Sequence, residues 1–198
     1  MRHFMYQKIL ELYNGIPTLE SSRLTLRRML AKDYLDMYEY ASNPIVSQYL
    51  LWNPHDSPSF TKKYLKQMQR EYEAGHFYDW ALERKSDGKM IGTCGFTVFS
   101  ERHNFVELGY VLNPSCWNMG YTTEAVSRVI AFSFEELDVE RIEARHMDGN
   151  WASGKVMMKC GMQKEGVLRN AVRKNDFYKT VYLYSILKEH YFHVDETT

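Results

Sequence analysis

Apolar and polar positions alternate along this chain with two periods, and the switches between them mark out its elements. Arg23-Leu24-Thr25-Leu26-Arg27 alternates with period two and predicts a strand. Two stretches of helical spacing follow, about 32–42 and 58–74, separated by a segment punctuated by Asn43-Pro44, Asn53-Pro54 and Pro58. In the second, Phe60, Tyr64, Leu65, Met68 and Tyr72 recur as an amphipathic helix requires. Strand-like runs at 77–84 and 90–99 flank Ser86-Asp87-Gly88-Lys89, whose Asp-Gly step is a hairpin signal. A third run, 104–112, closes at Asn113-Pro114.

Residues 121–137 then return to helical period, with Val126, Val129, Ile130, Ser133 and Leu137 on one face and Phe134 beside it. A strand at 141–147 precedes a short helix, 151–160, which Gly161 stops. Two last strands, about 162–171 and 177–187, share the turn Lys174-Asn175-Asp176. Residues 4–13 read as a short helix ending at Asn14-Gly15. The resulting order, β-α-α-β-β-β-α-β-α-β-β, describes a mixed α/β (α+β) domain in which an antiparallel meander leads into a βαβ-like unit. No repeat or low-complexity linker divides it, so residues 1–198 are read as one domain, with 1–16 an extension and 17–192 the core.

Composition narrows the class. With 44% hydrophobic and 15% aromatic residues in 198, the chain can bury a sizeable core. Lys+Arg and Asp+Glu are 25 each, a balance that lacks the charge excess of a dedicated nucleic-acid binder. No apolar run is long enough to span a bilayer, and the first residues do not form a signal peptide, so a soluble cytoplasmic protein is expected. Cys94, Cys116 and Cys160 are widely spaced and form no CxxC, and no third ligand accompanies His190 and His193, so no metal site is expected.

The segment Glu107 to Ala125 holds the most chemistry. A strand runs into a small loop, and Gly120 stands at the mouth of an amphipathic helix. Free backbone N–H groups and the positive end of a helix dipole converge there and suit a phosphate. Gly120 leaves the approach unobstructed, and the Thr122 and Thr123 hydroxyls could cap the helix or add donors. One glycine at a helix start is by itself an ordinary turn; the whole segment says more. Leu108-Gly109-Tyr110, Leu112, Pro114, Trp117, Gly120-Tyr121 and Thr123-Glu124-Ala125 resemble the GNAT superfamily of acyl-CoA-dependent N-acetyltransferases, within it the branch of the RimJ and RimL protein N-terminal acetyltransferases. Asn150-Trp151-Ala152-Ser153, Val156, Lys159 and Gly161 match a second family motif, and 182–187 its closing strand.

The resemblance implies a GNAT fold, acetyl-CoA as acetyl donor, no metal, and a primary amine as acceptor, either a protein N-terminus or a small molecule. It implies cofactor contacts from Tyr110, Val111, Leu112, Asn118, Met119, Gly120, Tyr121, Thr122, Thr123, Asn150 and Ser153. The strand at 104–112 and that at 141–147 should part to admit the pantetheine arm. Glu107 is the candidate base and Ser153 the candidate donor to the departing sulfur, each with a plain alternative as a strand glutamate and a first-turn serine. Asn118 stands where the usual phosphate loop has a glycine, Thr122 where it has alanine, and Met157 where many GNAT enzymes carry a tyrosine acid. These departures keep open a GNAT-fold module that binds acyl-CoA or a protein without catalysis. The aromatic residues Tyr34, Tyr38, Tyr40, Tyr49, Trp52, Tyr64 and Trp80 either line an acceptor groove or pack helices on the sheet. Many relatives form dimers, so a homodimer stays open, though nothing in the sequence specifies one; no membrane or nucleic-acid partner is expected.

Overall fold

The computed structural model describes residues 16–76 and 78–193. The helix expected at 4–13 lies outside these residues. Eight strands form one sheet: β1 (Leu19–Glu20), β2 (Leu24–Arg27), β3 (Tyr78–Arg84), β4 (Met90–Ser100), β5 (Phe105–Leu112), β6 (Arg141–Met147), β7 (Gln163–Lys174) and β8 (Phe177–Leu187). Their spatial order is β1-β2-β3-β4-β5-β6-β8-β7. Every neighbouring pair is antiparallel except β5 with β6. The helices are α1 (Tyr34–Ala41), α2 (Pro44–Ser47), α3 (Pro58–Glu73), α4 (Tyr121–Ala131), α5 (Trp151–Lys159) and α6 (Lys188–His193). The mixed α/β class agrees with the sequence reading, and so does the order of the elements it named; it did not anticipate β1, α2 or α6, each of which is too short to show a period.

Local chemistry explains the boundaries. Ser57 caps α3 by accepting from Phe60 N at 3.2 Å, and Pro58 occupies the first turn, where no donor is needed. The buried stripe of α3 is Thr61, Leu65, Met68 and Tyr72; Phe60, expected on it, is exposed and meets the His55 ring edge-on instead. The helix expected over 121–137 is α-helical only to Ala131 and widens into a π-helical turn over Phe132–Glu136. Phe132, Ser133 and Phe134 of that turn are all buried, and Ser133 Oγ donates to the Val129 carbonyl at 2.7 Å. Gly88, with φ 69°, forms the β3–β4 turn as Asp-Gly requires.

The sheet separates two layers. On one face Trp80 packs edge-on against Phe132, and Tyr110 reaches α5. On the other lie α1 and α3, where Tyr72 accepts from Met29 N at 3.3 Å and donates to the Asp79 carbonyl. Gly92 lets β4 lie close to β5: a Cβ there would come within 3.0 Å of Leu112 Cα. Gly92→Ala is therefore expected to destabilise the protein by about 1–3 kcal/mol through overpacking, measured by urea denaturation; an unchanged midpoint would refute this close approach.

Candidate active site

β5 is paired with β4 along its whole length, from Ser100↔Phe105 to Gly92↔Leu112. β6 is likewise paired with β8 as far as Met147↔Val181. Between themselves, however, β5 and β6 pair only over Phe105↔Arg141 to Leu108↔Ala144. Beyond that point the two strands part, and the main-chain groups of Gly109–Leu112 that point away from β4 have no strand partner. A ligand with its own amides can complete that ladder. The Leu112 carbonyl is already engaged, accepting from Trp117 Nε1 at 2.8 Å, which ties the following loop to the strand end.

That loop is built for left-handed backbone. After the 3-10 turn Pro114–Cys116, Asn118 has φ 61° and Gly120 φ 81°. Asparagine tolerates this region better than most side chains, so Asn118 can replace a glycine without losing the loop's shape. No side chain caps α4. Glu124 N bonds to Gly120 O at 3.0 Å, while the N–H groups of Tyr121, Thr122 and Thr123 precede the first intrahelical bond. Met119 and Asn118 are exposed beside them. Sequence reasoning missed the brace behind the loop. Arg23 donates from Nε to Glu124 at 2.7 Å and from Nη1 to the Met119 carbonyl at 2.9 Å, and its guanidinium lies 4.3 Å from the centre of the Tyr121 ring. Glu124 also accepts from Arg23 N at 2.6 Å and Ser21 Oγ at 2.8 Å. An acid three residues into a helix beside an arginine on a neighbouring strand was the available signal.

The two candidate catalytic side chains approach the gap from opposite faces of the sheet. Glu107 shares its strand face with Gly109 and Val111, toward α1 and α3, whereas Tyr110 points to α5. Glu107 is half-buried; burial pushes its carboxyl up, Arg145 Nη2 at 3.1 Å pulls it down, and Glu143 pushes it up. The balance leaves the carboxyl raised above its ordinary value. Ser153 Oγ lies 2.8 Å from the Tyr110 hydroxyl, which is also 3.0 Å from the Ser153 carbonyl. Burial holds Tyr110 well above its ordinary pKa, so it stays protonated. Asn150 sits at the N-cap of α5 but makes no side-chain capping bond, which leaves its amide for another partner. Met157 is buried in the core.

On the face of Glu107, the segment between α1 and α3 forms a roof. Lys174 at the end of β7 donates to the carbonyls of Ser47 (2.6 Å) and Leu50. The Tyr49 ring lies over Gly149, where a Cβ would meet its hydroxyl at 3.1 Å. Of the early aromatic residues, Trp80 belongs to the opposite layer, buried and donating Nε1 to Pro17 O at 2.7 Å. Tyr40 and Tyr64 instead surround Asp79, a residue sequence reading did not single out. An aspartate within a strand runs against β propensity, and that was the signal to follow. Burial pushes the Asp79 carboxyl up to about 7, opposed by Thr93 and the Trp80 N–H.

A gap between two parallel strands, closed at one end by an anion-ready loop and a helix start, defines an acyl-CoA-dependent acetyltransferase architecture. Residues 23–163 match the family model described as an acetyltransferase (GNAT) domain. The uncharacterised N-acetyltransferase YoaA of Bacillus subtilis is 31% identical over 172 residues, covering 87% of this chain and 97% of that protein. A putative ribosomal N-acetyltransferase of the same organism, YdaF, is 25% identical over 142 residues, covering 69% and 73%. The crystal structure of a GNAT-family acetyltransferase from Bacillus anthracis superposes with a TM-score of 0.78 at 25% identity, covering 87% of this chain and 99% of that one. The chain belongs to the GNAT family of N-acetyltransferases, and its likeness extends to the RimJ/RimL-like branch. It is an acetyltransferase, and enzymes of this family use acetyl-CoA as co-substrate. Among the described residues no helix is long and apolar enough to cross a membrane.

The Asp79 carboxyl has a clear stability signature. Its folded-state pKa of about 7 lies above the ordinary 3.8, so the folded state favours the proton. Its effect is absent below pH 4, and stability falls as pH rises from 4 to 7, then levels off. Asp79→Asn is expected to gain about 1–3 kcal/mol on the parent between pH 5 and pH 8, the usual cost of an unsatisfied buried polar group. Urea denaturation at both pH values reads it, and parallel pH profiles for parent and variant would show the carboxyl to be solvated.

Proposed function

We propose that this enzyme transfers acetyl from acetyl-CoA to a primary amine by direct attack in a ternary complex, without a covalent acetyl-enzyme. The observation that carries this reading is the unpaired edge of β5 leading to the open helix start at Gly120. The main chain at Val111 and the pair Asn150 and Ser153 would hold the pantetheine arm, with Tyr110 lining it and Leu112 contributing through its strand position. Asn118, Met119, Gly120, Tyr121, Thr122 and Thr123 would bind the phosphates through backbone and hydroxyl donors. Strand N–H groups near Val111 would stabilise charge developing on the thioester oxygen. Glu107 would take a proton from the acceptor amine, directly or through water, so that the neutral nitrogen attacks the thioester carbonyl, and Ser153 would give a proton to the leaving sulfur from the other face.

Among acceptors, a protein N-terminal amine leads on resemblance to the RimJ/RimL-like branch, with a small-molecule amine beside it. We further propose that residues 17–192 act as one cytoplasmic unit, with 1–16 an extension. A non-catalytic acyl-CoA-binding module is the alternative, and Met157 in place of a tyrosine acid is the observation in its favour.

Two measurements test this. Acetyl-CoA at 100-fold above its Kd should stabilise the fold by about 2.7 kcal/mol, a rise in Tm of about 5–11 °C for a chain this size. Gly120→Glu, which puts a carboxylate on a residue with φ 81°, should fold but lose that rise. No rise in the folded parent would overturn the assigned site. Glu107→Gln and Ser153→Ala should each lower kcat, by about 100-fold or more for the base, while the acetyl-CoA shift persists. Turnover unchanged in both would sink these role assignments.

A further inference from the structure

Asp79 on β3, Gly95 on β4 and Gly109 on β5 are direct cross-strand partners, so they form one row on the face that carries Glu107. The row ends at the gap between β5 and β6. The two glycines let neighbouring groups lie directly on the strand backbone: the Thr97 methyl over Gly109, where a Cβ would be 2.6 Å from it, and Asp79 at the far end, its Oδ1 2.7 Å from where a Cβ on Gly95 would stand. Two buried polar atoms there have no hydrogen-bond partner among the described residues: Asp79 Oδ1 and the Tyr40 hydroxyl oxygen. Orphaned buried polar groups are rare, and each demands a reason. Tyr40 is fully buried on α1, and Tyr64 and Tyr72 add two more rings around the same carboxyl. Among the described residues no arginine or lysine pairs with Asp79; its neighbours are tyrosines, Thr93, Cys94 and the Trp80 backbone, and the cation of Arg28 lies over the ring of Tyr72, 5.9 Å from its centre.

A single group able to donate to both oxygens would satisfy both orphans at once, and an ammonium held by a carboxylate among aromatic rings is such a group. A neutral ligand would leave the carboxyl uncompensated once ionised. We propose that Asp79 and Tyr40 form an acceptor subsite for a second cationic group, carried by the acceptor about 10 Å from the amine that is acetylated. Two inter-strand steps of about 4.8 Å separate Asp79 from Gly109, and the spacing takes the acceptor amine to react at the gap edge beside that strand. The subsite rests on the acetyl-transfer reading and names its acceptor class: a dicationic amine, whether a free diamine or a peptide with a lysine near its N-terminus. Because burial already raises the carboxyl to about 7, an arriving cation converts it to the charged form near neutral pH.

The test compares kcat/KM for a straight-chain diamine with nitrogens about 10 Å apart and for the monoamine of equal length. A parallel pair uses a dipeptide amide ending in lysine or in norleucine. The dicationic member is expected to be favoured at least tenfold in one pair or both, and the pair that shows it identifies the source. Asp79→Asn should collapse that ratio, and Tyr40→Phe should reduce it. Equal kcat/KM within both pairs, or a preference that survives Asp79→Asn, would overturn the proposal. Should none of the four be acetylated, calorimetry on the acetyl-CoA-loaded protein separates the two ideas. Diamine binding that Asp79→Asn abolishes would uphold the subsite and count against the assigned transfer, whereas no difference between diamine and monoamine would overturn the subsite itself.

Discussion

The candidate site is organised by the parting of β5 and β6 after Leu108 and Ala144. Each strand stays fully paired on its other side, so the split costs neither its place in the sheet. What it produces is a stretch of main chain without its ladder, in the one place where two strands run parallel. A parallel pair requires a crossover, and here the crossover supplies α4, whose start opens beside the end of β5. The unpaired strand edge and the open helix N-terminus are thus consequences of one topological choice, and together they suit a ligand with amides at one end and phosphates at the other.

The supporting contacts hold backbone rather than reactive groups. Trp117 fastens the loop to the Leu112 carbonyl, and Arg23 with Glu124 fixes the opposite side through Met119. Rigid support leaves the N–H groups of Tyr121 to Thr123 oriented before a ligand arrives, which lowers the ordering cost of binding. The roof segment is held by a similar device, Lys174 donating to the carbonyls of Ser47, at the end of α2, and of Leu50 just beyond it.

The sheet also sorts chemistry by face. Glu107, Arg145, Glu143, Arg141 and Glu165 form a chain of ion pairs along one side of the gap. This grid tempers the rise that burial imposes on Glu107 without placing a cation at Asp79. On the other side Tyr110 and Ser153 form a hydroxyl pair against α5. A thioester between the strands would therefore meet a carboxylate from one direction and a hydroxyl from the other.

Period and turn chemistry are local, so the Asp-Gly hairpin, the helical stretch of α3 and the strand at Arg141–Met147 could be read from residue order alone. The loop before α4 was readable too, and the left-handed backbone at Asn118 fits a residue type that tolerates that conformation. Phe60 misled because spacing marks a helical stripe only to within one residue, and neighbours choose its edge. The π-helical turn at Phe132–Glu136 was hidden because helical spacing alone does not mark where the backbone widens. Assembly of the sheet alone sets Glu107 and Ser153 on opposite sides of the gap, brings Arg23 to a loop nearly a hundred residues away, and places Asp79 beside Tyr40. Burial, pKa and cross-strand neighbours are properties of assembled surfaces, and no residue carries them until the strands are in register.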